Sequence, residues 1–318
     1  MLPVSPPGDR ERSFPRFAWG VLGYSLVVIL WGYFLRISES GDGCGTDWPL
    51  CRGSAILTGA PFPTWVEFVH RISSGLVLLL VAAMAIWAFR RHPRRHPVRR
   101  AAAAALLFTV GESAFGAILV VFGLVASDVS IARIMIRPFH VTNTFLLMAS
   151  LGLTAWWAHR GVEHPTSLWE PRARPVVFAA LAVFALAWTG SWTGLASTAF
   201  PAETLSQGMR QYLQPEHVLI YLRMFHPFVA LAAVYLLLRL AAAARRGTPS
   251  VAAKRLSLAV GGLALSQLVV GPLTILLLQP AALRLFHLLV ADLLWLGVVF
   301  LGASMLEGHP AGDRALGS

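Results

Sequence analysis

Runs of about twenty apolar residues, each closed by a short polar segment, recur along this chain. They fall near 17–35, 65–89, 101–125, 138–158, 175–195, 217–240, 256–278 and 283–306. A helix of that length crosses a hydrocarbon layer of about 30 Å, so the pattern predicts eight transmembrane helices. The first run is longer than a secretory h-region and no small-residue cleavage site follows it. It is therefore expected to be an uncleaved span behind a short, Pro-rich tail.

Composition narrows the class. Of the 318 residues, 56% are hydrophobic and 13% charged, too little polar material to coat a soluble globule. An all-α integral membrane protein is expected. The net charge of +11 does not imply a nucleic-acid partner, because the basic residues lie in short loops rather than on one face. Arg90, Arg91, Arg94, Arg95, Arg99 and Arg100 join the second and third runs, and Arg160, Arg172 and Arg174 the fourth and fifth. Arg239, Arg245, Arg246, Lys254 and Arg255 join the sixth and seventh. The positive-inside rule makes these loops cytoplasmic and puts both termini on that side, with Arg10, Arg12, Arg16 and Arg314.

This orientation gives the histidines meaning. The second, fourth, sixth and eighth runs all point inward, and each carries one histidine near its outer end: His70, His140, His226 and His287. Each is preceded three positions earlier by a charge, in the turns Glu67-Phe68-Val69-His70, Arg137-Pro138-Phe139-His140, Arg223-Met224-Phe225-His226 and Arg284-Leu285-Phe286-His287. Glu112 and Gly116 in the third run match Gln267 and Gly271 in the seventh. The repeat predicts two four-helix bundles in tandem, 1–160 and 161–318, related by a pseudo-twofold axis along the membrane normal. His92, His96, His159, His164, His217 and His309 lie in loops or at helix ends and are expected to be solvated.

Two histidines facing each other across a bundle suit the iron of a heme, and residues at i and i+3 share a helix face. Arg137, Arg223 and Arg284 would then stand one turn outward, where propionates emerge. A lone interfacial histidine is more often a hydrogen-bonding group and a lone arginine a snorkelling anchor; four at one depth and spacing favour ligation. Glu67-x-x-His70 lacks the second histidine of the His-Glu-x-x-His zinc motif. Glu67 breaks the arginine pattern beside one site only. It is expected to be a base or an electrostatic stabiliser, the plain alternative being an ion pair with Arg71. The first half is thus the expected seat of chemistry, and the second half a site that holds a heme and passes electrons. Cys44 and Cys51, the only cysteines, lie in an outer loop with six residues between them. A disulfide is feasible there, as a structural clasp or as a redox pair.

Arg36-x-Ser38-x-Ser40-Gly41 leading into Cys44-x-x-Asp47-Trp48-Pro49-x-Cys51, the Glu67-x-x-His70-Arg71 turn and the three further outer histidines resemble the heme A synthase family over nearly the whole chain. The resemblance implies oxidation of the C8 methyl of heme O to a formyl group by two successive hydroxylations, yielding heme A for terminal oxidases. It further implies that His70 and His140 bracket the substrate heme, that Glu67 is the catalytic carboxylate and that His226 and His287 hold a heme b cofactor. Cys44 and Cys51 would form the loop disulfide. The implied partners are heme O synthase, oxidase assembly factors and an electron partner the motifs do not name. The implied location is the cell's inner membrane with the heme sites toward its outer face. The sequence departs from the family in two places: Glu112 stands where the family tends to have Gln, and no second cysteine pair follows the fifth run. Two other classes remain open, a diheme b-type cytochrome and a heme transporter or chaperone that does not oxidise its cargo.

Overall fold

The computed structural model describes residues 9–247 and 250–307. The first eight residues of the tail, His309 and Arg314 lie outside that range. The described chain is all-helical apart from two isolated bridges. Its helices are α1 (Asp9–Ile37), α2 (Phe62–Arg91), α3 (Pro97–Val121), α4 (Ile131–Arg160), α5 (Arg174–Ala199), α6 (Leu205–Leu213), α7 (Val218–Gly247), α8 (Val251–Leu276) and α9 (Ala281–Met305). A 3₁₀ turn, Pro171–Ala173, leads into α5.

Seven of these helices, all but α4 and the short α6, are long and apolar enough to cross a membrane. The protein is therefore a multi-pass membrane protein. Its outward surfaces agree, since Leu79, Leu107, Phe178, Leu181, Phe228, Leu231 and Val269 are all exposed; such side chains face lipid at no hydrophobic cost. In α4, 30 residues long, the apolar positions are interleaved with Thr142, Asn143, Thr144, Ser150 and Thr154. Ser150 and Thr154 return their hydroxyls to carbonyls one turn back, at 2.7 Å each, which keeps a polar helix self-satisfied.

The apolar run predicted a fourth helix from about residue 138, yet α4 begins at Ile131, seven residues earlier. Ser130 caps it by accepting from the Arg133 N–H at 3.3 Å. Pro138 then sits inside the helix, where its missing N–H leaves the carbonyl four residues back without a helical donor. That carbonyl, Ile134 O, accepts instead from the Trp192 indole of α5 at 3.0 Å. At the other end Gly161 stops α4 in the left-handed conformation, φ 64°.

α1 packs on α2 and α4, and α3 on α2 and α4; α7 packs on α5 and α8, and α8 on α9. The two groups meet where α4 touches α5 and α9 and where α1 touches α9. Phe145 of α4, Trp295 of α9 and Phe184 of α5 fill that seam, with the Phe145 and Trp295 rings stacked at 5.5 Å. The Trp295 N–H, which would be costly unpaired at this depth, donates to Phe145 O at 2.8 Å.

Candidate functional site

Three of the four histidines, His70, His226 and His287, are seated against glycines. A Cβ on Gly32 of α1 would fall 2.7 Å from the His70 ring, one on Gly190 of α5 3.2 Å from His226, and one on Gly271 of α8 3.5 Å from His287. Any larger residue at 32 would push the His70 imidazole out of its seat. His70 lies within electrostatic reach of His140, and His226 within reach of His287. The four residues therefore form two pairs, one from α2 and α4, the other from α7 and α9.

Around each pair the second nitrogen of an imidazole is treated differently. Nδ1 of His226 meets Thr189 Oγ1 at 3.0 Å, an orienting contact of the kind metal-ligating histidines use. Nδ1 of His70 and of His287 are buried without a partner. His140 Nε2 meets Glu112 Oε2 at 2.9 Å, and Glu112 Oε1 accepts from Asn143 at 2.6 Å and Thr144 at 3.0 Å. Gln267, the counterpart of Glu112, instead donates to the His287 backbone carbonyl at 3.0 Å and leaves that imidazole alone. Paired imidazoles, three of them seated against glycines, are a donor set that could hold the iron of a planar macrocycle.

The outer loop is folded onto the start of α2. Cys44 and Cys51 are disulfide-bonded. Gly43 lies flat against the backbone of Pro63, where a Cβ would fall 2.4 Å from its carbonyl oxygen, and Thr64 Oγ1 donates to Gly43 O at 2.8 Å. This contact delivers the Cys44 N–H to Glu67 Oε2 at 2.8 Å. The other carboxylate oxygen accepts from Arg71 Nε at 3.1 Å and from its Nη2 at 2.5 Å. Arg71 also donates to the carbonyls of Asp47 and Leu50. Glu67 is 3% exposed and forms the ion pair with Arg71 that was the plain alternative for it.

The arginines divide. Arg223 is 4% exposed, stacks its guanidinium 4.5 Å from the Tyr212 ring and donates to Gln211 at 3.1 Å. Both partners belong to α6, an amphipathic helix the apolar-run reading passed over. Its signal was present in Thr204-Leu205-Ser206-Gln207: Thr204 accepts from the Gln207 N–H at 3.2 Å while the Gln207 side chain accepts from the Glu203 N–H at 2.8 Å, close to a capping box. Arg284 donates to Thr198 at 2.8 Å, and the Nε of Arg137 is buried without a partner.

A family model described as cytochrome oxidase assembly protein, COX15-CtaA, matches residues 15–299. The chain belongs to the COX15-CtaA family. Among its relatives, a Thermus thermophilus protein named protoheme IX farnesyltransferase is 37% identical over 92% of this chain and 48% of its own length. A heme A synthase of Shouchella clausii is 31% identical over 55% of this chain and 59% of its own, and one of Exiguobacterium is 44% identical over 30% and 32%. The chain thus spans about half the length of the first of these relatives. The COX15-CtaA match covers both histidine pairs and the cysteine loop together, from α1 to α9.

At the other end of α2, His92 and His96 are not simply solvated. Their rings stack at 4.2 Å and the His92 Nε2 is buried without a partner. Burial first, and then the neighbouring His96, pushes His92 down to about 4, and burial lowers His96 as well.

Proposed function

We propose that this protein is a heme A synthase, oxidising the C8 methyl of heme O to a formyl group by two successive hydroxylations. One observation carries the reading: His70 has His140 as a neighbour and His226 has His287, and a buried acid stands three residues before only one of the four. In this reading α4 is the eighth span, the chain forms tandem four-helix bundles about an axis along the membrane normal, and the outer ends of the even spans face away from the cytoplasm.

His70 and His140 hold the substrate heme, with Gly32 keeping room for the His70 ring. His226 and His287 hold a heme b cofactor, which supplies one-electron transfer when bound. Thr189 orients His226 through its second nitrogen. Glu67 is the catalytic carboxylate: Arg71 occupies Oε1 with two donors, and Oε2, which accepts only the Cys44 N–H, retains an acceptor position. Such a fixed charge stabilises developing positive charge, or takes a proton, without reorganising at the moment of reaction. The disulfide acts here as a clasp that keeps the loop on the acid. A partner that farnesylates protoheme is the natural supplier of substrate. The Thermus relative, named for that activity, carries a segment like this one in the same chain.

Expression of the full chain beside a source of heme O, followed by pigment extraction, is expected to yield formyl heme. A folded, heme-loaded protein that yields none removes the enzyme reading and leaves an electron carrier or heme carrier.

A further inference from the structure

Five polar side chains meet on the seam between the two groups of helices. They are Tyr33 and Arg36 of α1, Arg133 and Arg137 of α4, and Arg284 of α9. Tyr33 hydrogen-bonds both Arg36 and Arg284, and Arg137 lies within electrostatic reach of Arg36, Arg133 and Tyr33. Arg36 stacks 4.3 Å from the Tyr33 ring centroid. Arg133 spends its Nη1 on the carbonyls of Ala126 and Asp128 at 2.7 and 2.6 Å, with the Asp128 charge nearby. The Nε atoms of Arg36, Arg133 and Arg137 are buried without a partner. Among the described residues no carboxylate forms a salt bridge with any of these arginines.

Clustered guanidiniums of one sign, partly buried among helices, are unfavourable by several kcal/mol unless an oxyanion lies between them. Planar guanidinium forks match a carboxylate or a phosphate. The position of Arg36 decides what kind of anion it meets. Gly32, which seats His70, lies four residues before Arg36 on α1. Gly190, which seats His226, lies four residues before Gly194 on α5. The Arg36 guanidinium is pressed onto that second helix, where a Cβ on Gly194 would fall 2.7 Å from one of its nitrogens. Arg36 thus stands one helical turn outward from a histidine seat of each pair, while Arg137 and Arg284 stand one turn outward from the opposing histidines.

We propose that Arg36, with Arg137 and Arg284, forms a single carboxylate clamp that binds propionates from both hemes, Arg36 reaching from the first half onto the second. The inference rests on the functional reading above only in that both pairs hold heme. The clamp ties the two sites together, so that losing one arginine is felt at both irons.

The test titrates the purified full chain in detergent with heme b and with heme b dimethyl ester, whose propionates carry no charge. Wild type is expected to favour the free acid, and Arg36→Gln to lose about tenfold or more in affinity for it while binding the ester as wild type does. The reduction potential of the heme on His226 and His287 is expected to fall in Arg36→Gln, since a positive charge that favours the reduced form is gone. Gly194→Ala, which displaces the guanidinium without removing it, is expected to weaken free-acid binding in the same sense. Equal binding of acid and ester by wild type overturns the clamp. So does an Arg36→Gln protein with unchanged affinity and potential. Native mass spectrometry showing an anionic phospholipid held by wild type and lost in Arg36→Gln, at unchanged heme affinity, assigns the arginines to lipid phosphate and also overturns it. A wild-type chain that takes up no heme overturns the functional reading itself.

Discussion

α2 and α7 each open a histidine pair, and each carries a charged residue one turn outward of its histidine, but the two charges are opposite and are held by unrelated structures. Glu67 is gripped by the disulfide loop through the Cys44 N–H and by Arg71. Arg223 is gripped by α6 through Gln211 and the Tyr212 ring. Both are almost fully buried, 3% and 4% exposed. A buried charge persists only when its surroundings satisfy it, so each outer segment is built to keep one sign of charge at one place. The same contrast recurs deeper, where Glu112 reaches the His140 imidazole and Gln267 does not reach that of His287. Glu67 and Glu112 thus stand by the α2–α4 histidines where Arg223 and Gln267 stand by the α7–α9 histidines.

The comparison breaks most readily at Glu67 and Arg223. Glu67→Gln is expected to lower formyl-heme yield by about a hundredfold or more, the scale of a lost acid-base or electrostatic group, with heme content nearly unchanged. In Arg223→Gln the yield is expected to fall only in proportion to heme lost from the second pair. Extracted pigment set against hemochrome content checks both, and equal loss per heme in the two variants would erase the distinction between the halves. Replacing Cys44 and Cys51 together by Ser is expected to cost about tenfold in yield, because the loop that presents the Cys44 N–H is no longer clasped. The spectrum of the second-pair heme should stay as it was; a change there would show the loop serves both sites.

Exchanging the deeper pair sharpens the contrast. Glu112→Gln changes the hydrogen-bond partner of the His140 imidazole and is expected to shift the absorption and potential of the first-pair heme, with yield changing by about tenfold or less, the scale of one hydrogen bond. Gln267→Glu is expected to leave the second-pair spectrum nearer to wild type, since residue 267 addresses a backbone carbonyl. The smallest effect lies at the inner end. His92 titrates near 4 folded against 6.5 unfolded. The unfolded chain therefore takes up the proton first, and stability is lost as pH falls from about 6.5 toward about 4. His92→Gln is expected to flatten that part of a thermal-unfolding profile in detergent without altering heme content. Altered heme content would mean that the difference between the halves is not confined to their outer ends.

Much of this was legible in the chain alone. Seven of the eight apolar runs are helices able to cross a membrane, and α4 starts seven residues before the apolar run read for it. Periodicity and the i to i+3 spacing placed His70, His140, His226 and His287 near their helix ends, and local spacing on a helix is fixed by its geometry. α6 was missed because nine residues are too few for an apolar run, although its capping residues announced it.

What the sequence determined, then, is everything set by regular helix geometry and by the cost of polar groups in lipid: the helical class, the place of the four histidines near the starts of their helices, and the fact that Glu67 interrupts a series of arginines. What only the tertiary structure decided is which groups from distant helices meet. Trp192 satisfies the carbonyl that Pro138 abandons, Gly43 lies flat enough on α2 to bring the Cys44 N–H to Glu67, and Arg36 crosses the seam to rest on Gly194. These contacts depend on how closely two helix or loop backbones approach, which is set jointly by small residues on both partners and has no period along a single strand of sequence.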